Sequence, residues 1–187
     1  MTKRNLILFF FFVQGFASGY FTWSDFWDAL HQEFNLVIVD PREKNSNKLM
    51  KSSECSVHRM ALDFAEAIKF LKLDEKKLVL FGSSIGASYV AHLVGQNMIT
   101  PKGCFLTGPA RKPRAPRKLI KFIFLFPAFA LNFLGKLAAR IYLRNKVADG
   151  FQKQVFYDRI NNTDFRRWKH CRDMHDWDAT EDFKKMK

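Results

Sequence analysis

Short, uninterrupted apolar runs alternate with longer amphipathic segments along the first 108 residues. The apolar runs are residues 5–13, 36–40, 78–81 and 104–107. Such runs are typical of strands buried on both faces of a parallel sheet. The amphipathic segments are residues 22–34, 57–71 and 87–94, where apolar side chains recur at helical spacing. Strands that alternate with helices predict an α/β fold in which helices cover both faces of a parallel sheet.

The first apolar run, residues 5–13, fits two explanations. Lys3 and Arg4 precede it and small residues follow, so residues 1–17 have the outline of a secretory signal peptide. The run also has the character of a central parallel strand. Because the regular alternation that follows needs this strand, we favour the strand over the signal peptide and expect a cytoplasmic chain.

The pattern changes after residue 108. Residues 111–118 are basic and punctuated by proline, and residues 119–143 are apolar and aromatic. Pro127 and Gly135 interrupt the second stretch, which predicts two helices meeting at a kink. We therefore divide the chain into a core, residues 1–108, and a basic, aromatic-rich helical region, residues 109–187.

Charge separates the same two regions. The 187 residues carry a net charge of +13, yet residues 1–100 hold 11 basic against 10 acidic residues. Residues 101–187 hold 20 against 8, so the second half is expected to face something anionic, such as a membrane surface, nucleic acid or an acidic partner. Nucleic acid is not an expected partner, because the basic segment lacks a stacking platform or groove-reading helix.

Composition narrows the class of protein further. With 48% hydrophobic and 26% charged residues, the chain is an ordinary globular one and not disordered or collagen-like. Cys55, Cys104 and Cys171 show neither zinc nor disulfide spacing, so reduced thiols are expected and no metal is predicted. Lys121, Asn132 and Lys136 interrupt the richest apolar stretch, which argues against a membrane span.

Residues 122–133 leave two interpretations open. Their aromatic and aliphatic side chains lie between Lys118 and Lys121 on one side and Lys136 and Arg140 on the other. That pattern suits a surface that touches a membrane peripherally. It suits equally well an apolar lid over a pocket for an acyl chain.

The strongest chemical signal is Gly-x-Ser-x-Gly at residues 82–86, between a predicted strand and a predicted helix. A serine at such a sharp turn projects its hydroxyl above the sheet, and glycines two residues away on either side avoid a clash. The helix that follows directs backbone N–H groups at the same point and favours an anionic intermediate there. Ser84 is therefore a candidate nucleophile.

These residues resemble the α/β-hydrolase family over residues 6–107. Residues 13–16, Val-Gln-Gly-Phe, are similar to the family's oxyanion loop, and residues 40–42 with Ser46 are similar to the loop after its next strand. Residues 82–86 match its nucleophile elbow. Residues 109–187 would correspond to the helical cap that such enzymes insert after the sixth strand.

The resemblance implies an esterase-like serine hydrolase acting on a small or lipophilic ester-like substrate, without a cofactor. Ser84 would be the nucleophile, and the N–H groups of Phe16 and Ile85 would form the oxyanion hole. The residues that support these two motifs are Gln14, Gly15, Gly82 and Gly86.

The chain departs from the family pattern at the catalytic acid and base. Gln14 replaces the usual histidine of the oxyanion loop, and nothing resembles the last two strands, after which the family carries its acid and histidine. His92 lies eight residues beyond Ser84, about 12 Å along a helix. His170 and His175 could fold over the site, but a solvated helix explains them better. We expect either a hydrolase whose last segment is missing or a non-catalytic, hydrolase-like binding or membrane-surface protein.

Overall fold

The computed structural model describes residues 8–15, 18, 23–44, 47, 54–112, 125–146, 150–169 and 176–186. These residues contain one sheet of four parallel strands in the spatial order β2-β1-β3-β4. The strands are β1, Phe9–Val13; β2, Asn35–Val39; β3, Leu78–Ser83; and β4, Gly103–Thr107. Because all four strands run the same way, their carboxyl ends lie along one edge of the sheet.

Helices connect the strands and follow them. They are α1, Ser24–Leu30; α2, Val57–Phe70; α3, Ile85–Gly95; α4, Ala128–Lys146; α5, Gly150–Asn161; and α6, Thr180–Lys185. Two 3₁₀ turns, Glu75–Lys77 and Phe165–Lys169, complete the described elements. None of the described helices is long and apolar enough to cross a membrane.

Side chains of β1 alternate between the two layers of the core. Phe11 is fully buried toward α2 and α3, where its ring meets Phe64 at 6.2 Å. Phe12 points to the other face and meets Trp27 of α1 at 4.5 Å and Phe81 of β3 at 4.9 Å. Each buried ring contributes roughly 1.5–3 kcal/mol. The predicted parallel sheet with helices on both faces is confirmed.

The helix predicted over residues 22–34 is shorter in the structure. α1 ends at Leu30, and the chain then turns so that the Phe34 N–H donates to the Leu30 carbonyl at 2.9 Å. Phe34 still packs against Phe10, with ring centroids 5.8 Å apart. Phe34 therefore reaches the core from a turn that follows the helix. Helical spacing alone does not distinguish such a turn from a continuation of the helix.

The predicted break at Gly135 is wrong. α4 runs without interruption through Gly135, and the helix begins directly after Pro127. A Cβ at position 135 would lie 2.6 Å from the ring of Phe165, so this glycine allows the Phe165–Lys169 turn to approach α4 closely. Residues 119–124 of the predicted pair of helices lie outside the described residues.

Described residues after position 109 contact the loop after β2 and also contact α3. Arg167 donates to the backbone carbonyls of Arg42 at 3.3 Å and Asn47 at 2.6 Å, both in the loop after β2. α6 packs against α3, where a Cβ on Gly95 would lie 2.8 Å from the Asp182 carbonyl oxygen. The last described helix thus lies on the layer formed by α2 and α3.

Candidate active site

Ser84 occupies a strained turn between β3 and α3. Its backbone has φ 55° and ψ −121°, a conformation that non-glycine residues adopt only when the surrounding structure holds them there. The Ser84 N–H donates to the Thr107 carbonyl at the end of β4 at 2.9 Å, which fixes the turn to the neighbouring strand. Its side chain is exposed to solvent at the carboxyl edge of the sheet. The predicted strand-turn-helix context of Ser84 is confirmed.

The two flanking glycines are required by close backbone contacts. A Cβ on Gly82 would lie 2.7 Å from the Cα of Ala87, within the turn itself. A Cβ on Gly86 would lie 2.3 Å from the Val13 carbonyl oxygen and 2.8 Å from that of Gln14. Gly86 therefore lets the first turn of α3 pass directly over the end of β1.

The segment after β1 lies against the turn that carries Ser84. Val13 is in register with Gly82 in the neighbouring strand β3. A Cβ on Gly15 would be 3.1 Å from the Cβ of Ser84 and 3.0 Å from the Ser83 carbonyl oxygen. The structure thus brings Gln14 and Gly15 to Ser84, as the sequence predicted. Phe16, the predicted oxyanion-hole donor of this segment, lies outside the described residues.

Polar side chains from the loop after β2 hold this segment in position. The amide nitrogen of Gln14, which is fully buried, donates to Asp40 Oδ1 at 2.8 Å. Lys44 Nζ donates to the Gly15 carbonyl at 2.8 Å, and the Ser18 N–H donates to the same oxygen at 3.2 Å. The Gln14 side chain, which replaces the family's histidine, thus ties the ends of β1 and β2 together.

Glu43 is a buried carboxylate beside these residues, and sequence reasoning missed it. Neither of its carboxylate oxygens has a hydrogen-bond partner, and Lys44 Nζ lies 3.8 Å from Oε1. Burial raises the pKa of Glu43 above its usual value, while Lys44 opposes the shift. A single acidic residue in a polar loop carries no sequence signal that distinguishes it from a solvated one.

The N-terminus of α3 lies at Ser84, where its electrostatic field would stabilise a negative charge. Ile85 is the first residue of the helix, so its N–H is among those without an intrahelical partner. The helix dipole places partial positive charge at the same end. An anion next to Ser84 would lie at this end of the helix; the oxyanion-hole role of Ile85 stays a prediction.

The solved structures that resemble this chain share its arrangement of strands and helices. An esterase from Exiguobacterium antarcticum matches with TM-score 0.73 and 16% identity, over 96% of this chain and 70% of that one. A hydrolase from Oleispira antarctica matches with TM-score 0.74 and 13% identity, over 96% of this chain and 69% of that one. A bottromycin epimerase in complex with bottromycin A2 matches with TM-score 0.68 and 14% identity, over 94% and 67% of the two chains.

The chain has the α/β-hydrolase fold. No protein-family model matches its sequence, and no curated protein matches it in sequence. At these identities the likeness establishes the fold, and one of the three structures is described as an epimerase. Function must therefore be argued from the site itself.

None of the three described histidines hydrogen-bonds to Ser84. His92 uses both ring nitrogens elsewhere: Nδ1 lies 3.0 Å from Asp182 Oδ2, and Nε2 lies 3.0 Å from His58 Nδ1. His170 and His175 lie outside the described residues. Within the described part of the chain, Ser84, Gly15 and the N-terminus of α3 come together, and no imidazole hydrogen-bonds to Ser84.

In the part of the chain that the structure describes, no group of three His, Cys, Asp or Glu side chains is arranged to bind a metal ion. Cys55 and Cys104 form no disulfide within the described residues. Burial raises the pKa of the Cys104 thiol to about 11, so this cysteine is neutral and a poor nucleophile at neutral pH.

Proposed function

We propose that the chain is a serine hydrolase of ester-like substrates, with Ser84 as the nucleophile. The observation that carries this proposal is the conformation of Ser84: a non-glycine residue at positive φ, exposed, and placed between a helix N-terminus and Gly15. Strain of this kind persists only where the surrounding contacts enforce it. A turn with no chemical role has no need to hold a serine there.

The chemistry follows from the geometry around Ser84. Its hydroxyl oxygen attacks the carbonyl carbon of the ester while its proton passes to a general base. Negative charge then develops on the former carbonyl oxygen, and backbone N–H groups of Ile85 and Phe16 would stabilise it. The intermediate collapses to an acyl-serine and releases the alcohol, which takes up the proton, and water then hydrolyses the acyl-serine.

Two features of the site support the oxyanion hole. Lys44 and Ser18 hold the Gly15 carbonyl from one side, and Gln14 is held by Asp40. A hydrogen-bond donor set that is fixed before the reaction stabilises a developing charge without reorganisation. We assign Lys44 and Gln14 as positioning residues and not as groups that touch the substrate.

The general base is assigned to a histidine outside the described residues. His92 follows Ser84 along α3, but its ring nitrogens pair with Asp182 and His58, so we do not assign it as the base. His170 or His175 would have to supply the base.

Labelling with a fluorophosphonate probe and hydrolysis of p-nitrophenyl butyrate test the proposal together. We expect the full chain to be labelled at Ser84 and to hydrolyse the ester. Ser84→Ala should abolish labelling and lower the rate by about 10³-fold or more. Ser83→Ala is the matched control, because it removes the adjacent hydroxyl and leaves the turn intact. A folded wild-type chain that is neither labelled nor active would refute serine catalysis by this chain.

A second candidate function is non-catalytic binding by a hydrolase-like site. The absence of an imidazole next to Ser84 among the described residues favours it, and an epimerase with the same fold shows that ester hydrolysis is not obligatory. Saturable binding of a long-chain ester without turnover, equal in wild type and Ser84→Ala, would support this alternative.

A further inference from the structure

One side of α4 carries large apolar side chains that contact no core. Phe129 is 76% exposed, Phe133 is 69% exposed, and Ile141 is 54% exposed. Leu134 and Leu137 are exposed as well. At 100° per residue, positions 129, 133, 134, 137 and 141 fall within one side of the helix. We call these five residues the apolar arc.

The opposite side of α4 accounts for its packing within the protein. Leu131 is buried, Gly135 meets the ring of Phe165, and the Asn132 side chain accepts from the Phe165 N–H at 3.2 Å. Ala139 packs with Ile160 and Phe165 in a small core. The helix is therefore anchored by one side, and the apolar arc faces away from that anchor.

The charge around the apolar arc is uniformly positive along α4. The helix contains four basic residues and no acidic one. Arg140 and Arg144 are both exposed, and at 100° per residue they fall on the same side as the apolar arc. A groove beside the helix is lined by Lys136, Arg166 and Arg167, with Asp164 as its acidic member.

We propose that the apolar arc of α4 docks peripherally on an anionic membrane surface. Arg140 and Arg144 lie among the aromatic and aliphatic side chains of the arc, and long arginine side chains can keep their charged ends at lipid headgroups while the apolar rings enter the interface. The helix spans about 28 Å at 1.5 Å per residue, so it presents an elongated convex surface and not a groove for a peptide. A second copy of the chain is a poor occupant, because it would oppose Arg140 and Arg144 to the same two arginines of the other copy.

The exposure of the apolar arc argues against the interpretation of residues 122–133 as a lid over a pocket for an acyl chain. Rings that are 76% and 69% exposed line no enclosed pocket in this structure. Docking would bury these rings in the lipid interface.

Co-sedimentation with large vesicles tests the proposal on the full chain. The vesicles are phosphatidylcholine alone and phosphatidylcholine with about 30 mol% phosphatidylserine, each at about 50 mM and about 500 mM NaCl. We expect binding to the anionic vesicles that falls as salt rises. Phe129→Ser with Phe133→Ser should weaken it about tenfold or more, and Arg144→Glu at least about fivefold.

Matched controls separate this surface from general effects. Phe70→Ser removes an 84% exposed ring from α2, and Lys76→Glu reverses an exposed charge far from α4; both should bind as wild type does. Ser84→Ala should also bind normally, so a failure of the proposed hydrolysis leaves this result intact. Circular dichroism establishes that each variant is folded, and if the double variant is not, Arg144→Glu carries the test.

Three results would overturn the proposal. The first is a wild-type chain that does not sediment with anionic vesicles at low salt. The second is binding that the α4 variants leave unchanged, or that is equal on neutral vesicles and insensitive to salt. The third is a concentration-dependent dimer in sedimentation velocity that the double variant abolishes while no vesicle binding occurs, which would assign the arc to a second copy.

Discussion

Backbone atoms, and not side chains, lie closest to Gly82 and Gly86. Because backbone atoms cannot move aside as a flexible side chain can, even one added methyl group at these positions would clash. Gly86→Ala would place a Cβ 2.3 Å from the Val13 carbonyl oxygen, so α3 must move away from β1. We expect a loss of about 3 kcal/mol in the free energy of unfolding. Gly103→Ala, whose Cβ would meet nothing within 4 Å, should change it by less than about 0.5 kcal/mol. Urea unfolding of both variants measures the difference, and equal effects would contradict it.

Ionisation of the buried Glu43 carboxyl opposes folding. Its folded pKa is raised by burial, so the native state retains a proton that the unfolded state releases. Stability from this group is therefore complete below its unfolded pKa, near 4.3, and declines as pH rises toward the folded value. The ionised carboxylate is the destabilising form.

Glu43→Gln removes this titration. We expect the variant to gain stability relative to wild type as pH increases from about 4 to about 7, with the smallest difference at the acid end. Urea unfolding at several pH values measures the two curves. A difference that is independent of pH, or that favours wild type more at pH 7, would show that Glu43 is not held protonated by burial.

Among the elements, α3 connects the candidate active site to α2 and α6. Its first turn crosses the end of β1, and its buried side chains pack in the core against α2. Its last turns contact α6. The contact with α6 is polar and buried: Asp182 accepts from Gln96 Nε2 at 2.9 Å and pairs with His92. Trp177 lies on the His92 ring at 4.9 Å.

Asp182→Ala should detach this end of the chain from α3. His92 and Gln96 would lose a buried acceptor, which costs about 1–3 kcal/mol. We expect a lower urea midpoint and a shift of tryptophan emission, because Trp177 packs on the ring that loses its partner. Glu181→Ala, one residue earlier and exposed, is the control and should change neither signal. Wild-type behaviour of Asp182→Ala would mean that α6 is held by its apolar contacts alone.

At the scale of the whole molecule, the sheet leaves β4 paired on one side only within the described residues. Phe105 of β4 is 58% exposed and stacks on Phe81 with ring centroids 5.3 Å apart. An apolar strand with unpaired backbone groups is a template for pairing with another chain. The structural neighbours extend beyond this chain, which covers 70% of the esterase and 69% of the hydrolase.

Phe105→Lys should reduce self-association at this edge. A lysine on an edge strand opposes pairing with a second copy, and at 58% exposure the loss of the Phe105 ring costs only part of its burial energy. We expect slower aggregation on heating, followed by light scattering, at a protein concentration where wild type aggregates. Phe70→Lys, which removes an 84% exposed ring from α2, should have a smaller effect. Equal effects of the two changes would attribute aggregation to surface hydrophobicity in general.

Local pattern was sufficient for the strands, for helices α2 and α3 and for the turn at Ser84. An apolar run predicts a strand buried on both faces, and a serine between glycines at a strand-to-helix junction has few conformations open to it. These inferences depend only on residues that are close together in the sequence, so they can be made without the tertiary structure. The roles assigned to Ser84, Ile85 and Phe16 remain predictions.

Only the tertiary structure decided which distant residues meet. Gly135 is a site of close approach and not a break because Phe165 arrives from thirty residues away. His92 is engaged because Asp182 reaches it from α6, and Glu43 is buried because its loop is covered by other segments. Burial and pairing depend on the whole packed chain, whereas periodicity reports only the faces of single elements. The sequence therefore indicates where a site can form, and the fold determines which groups complete it.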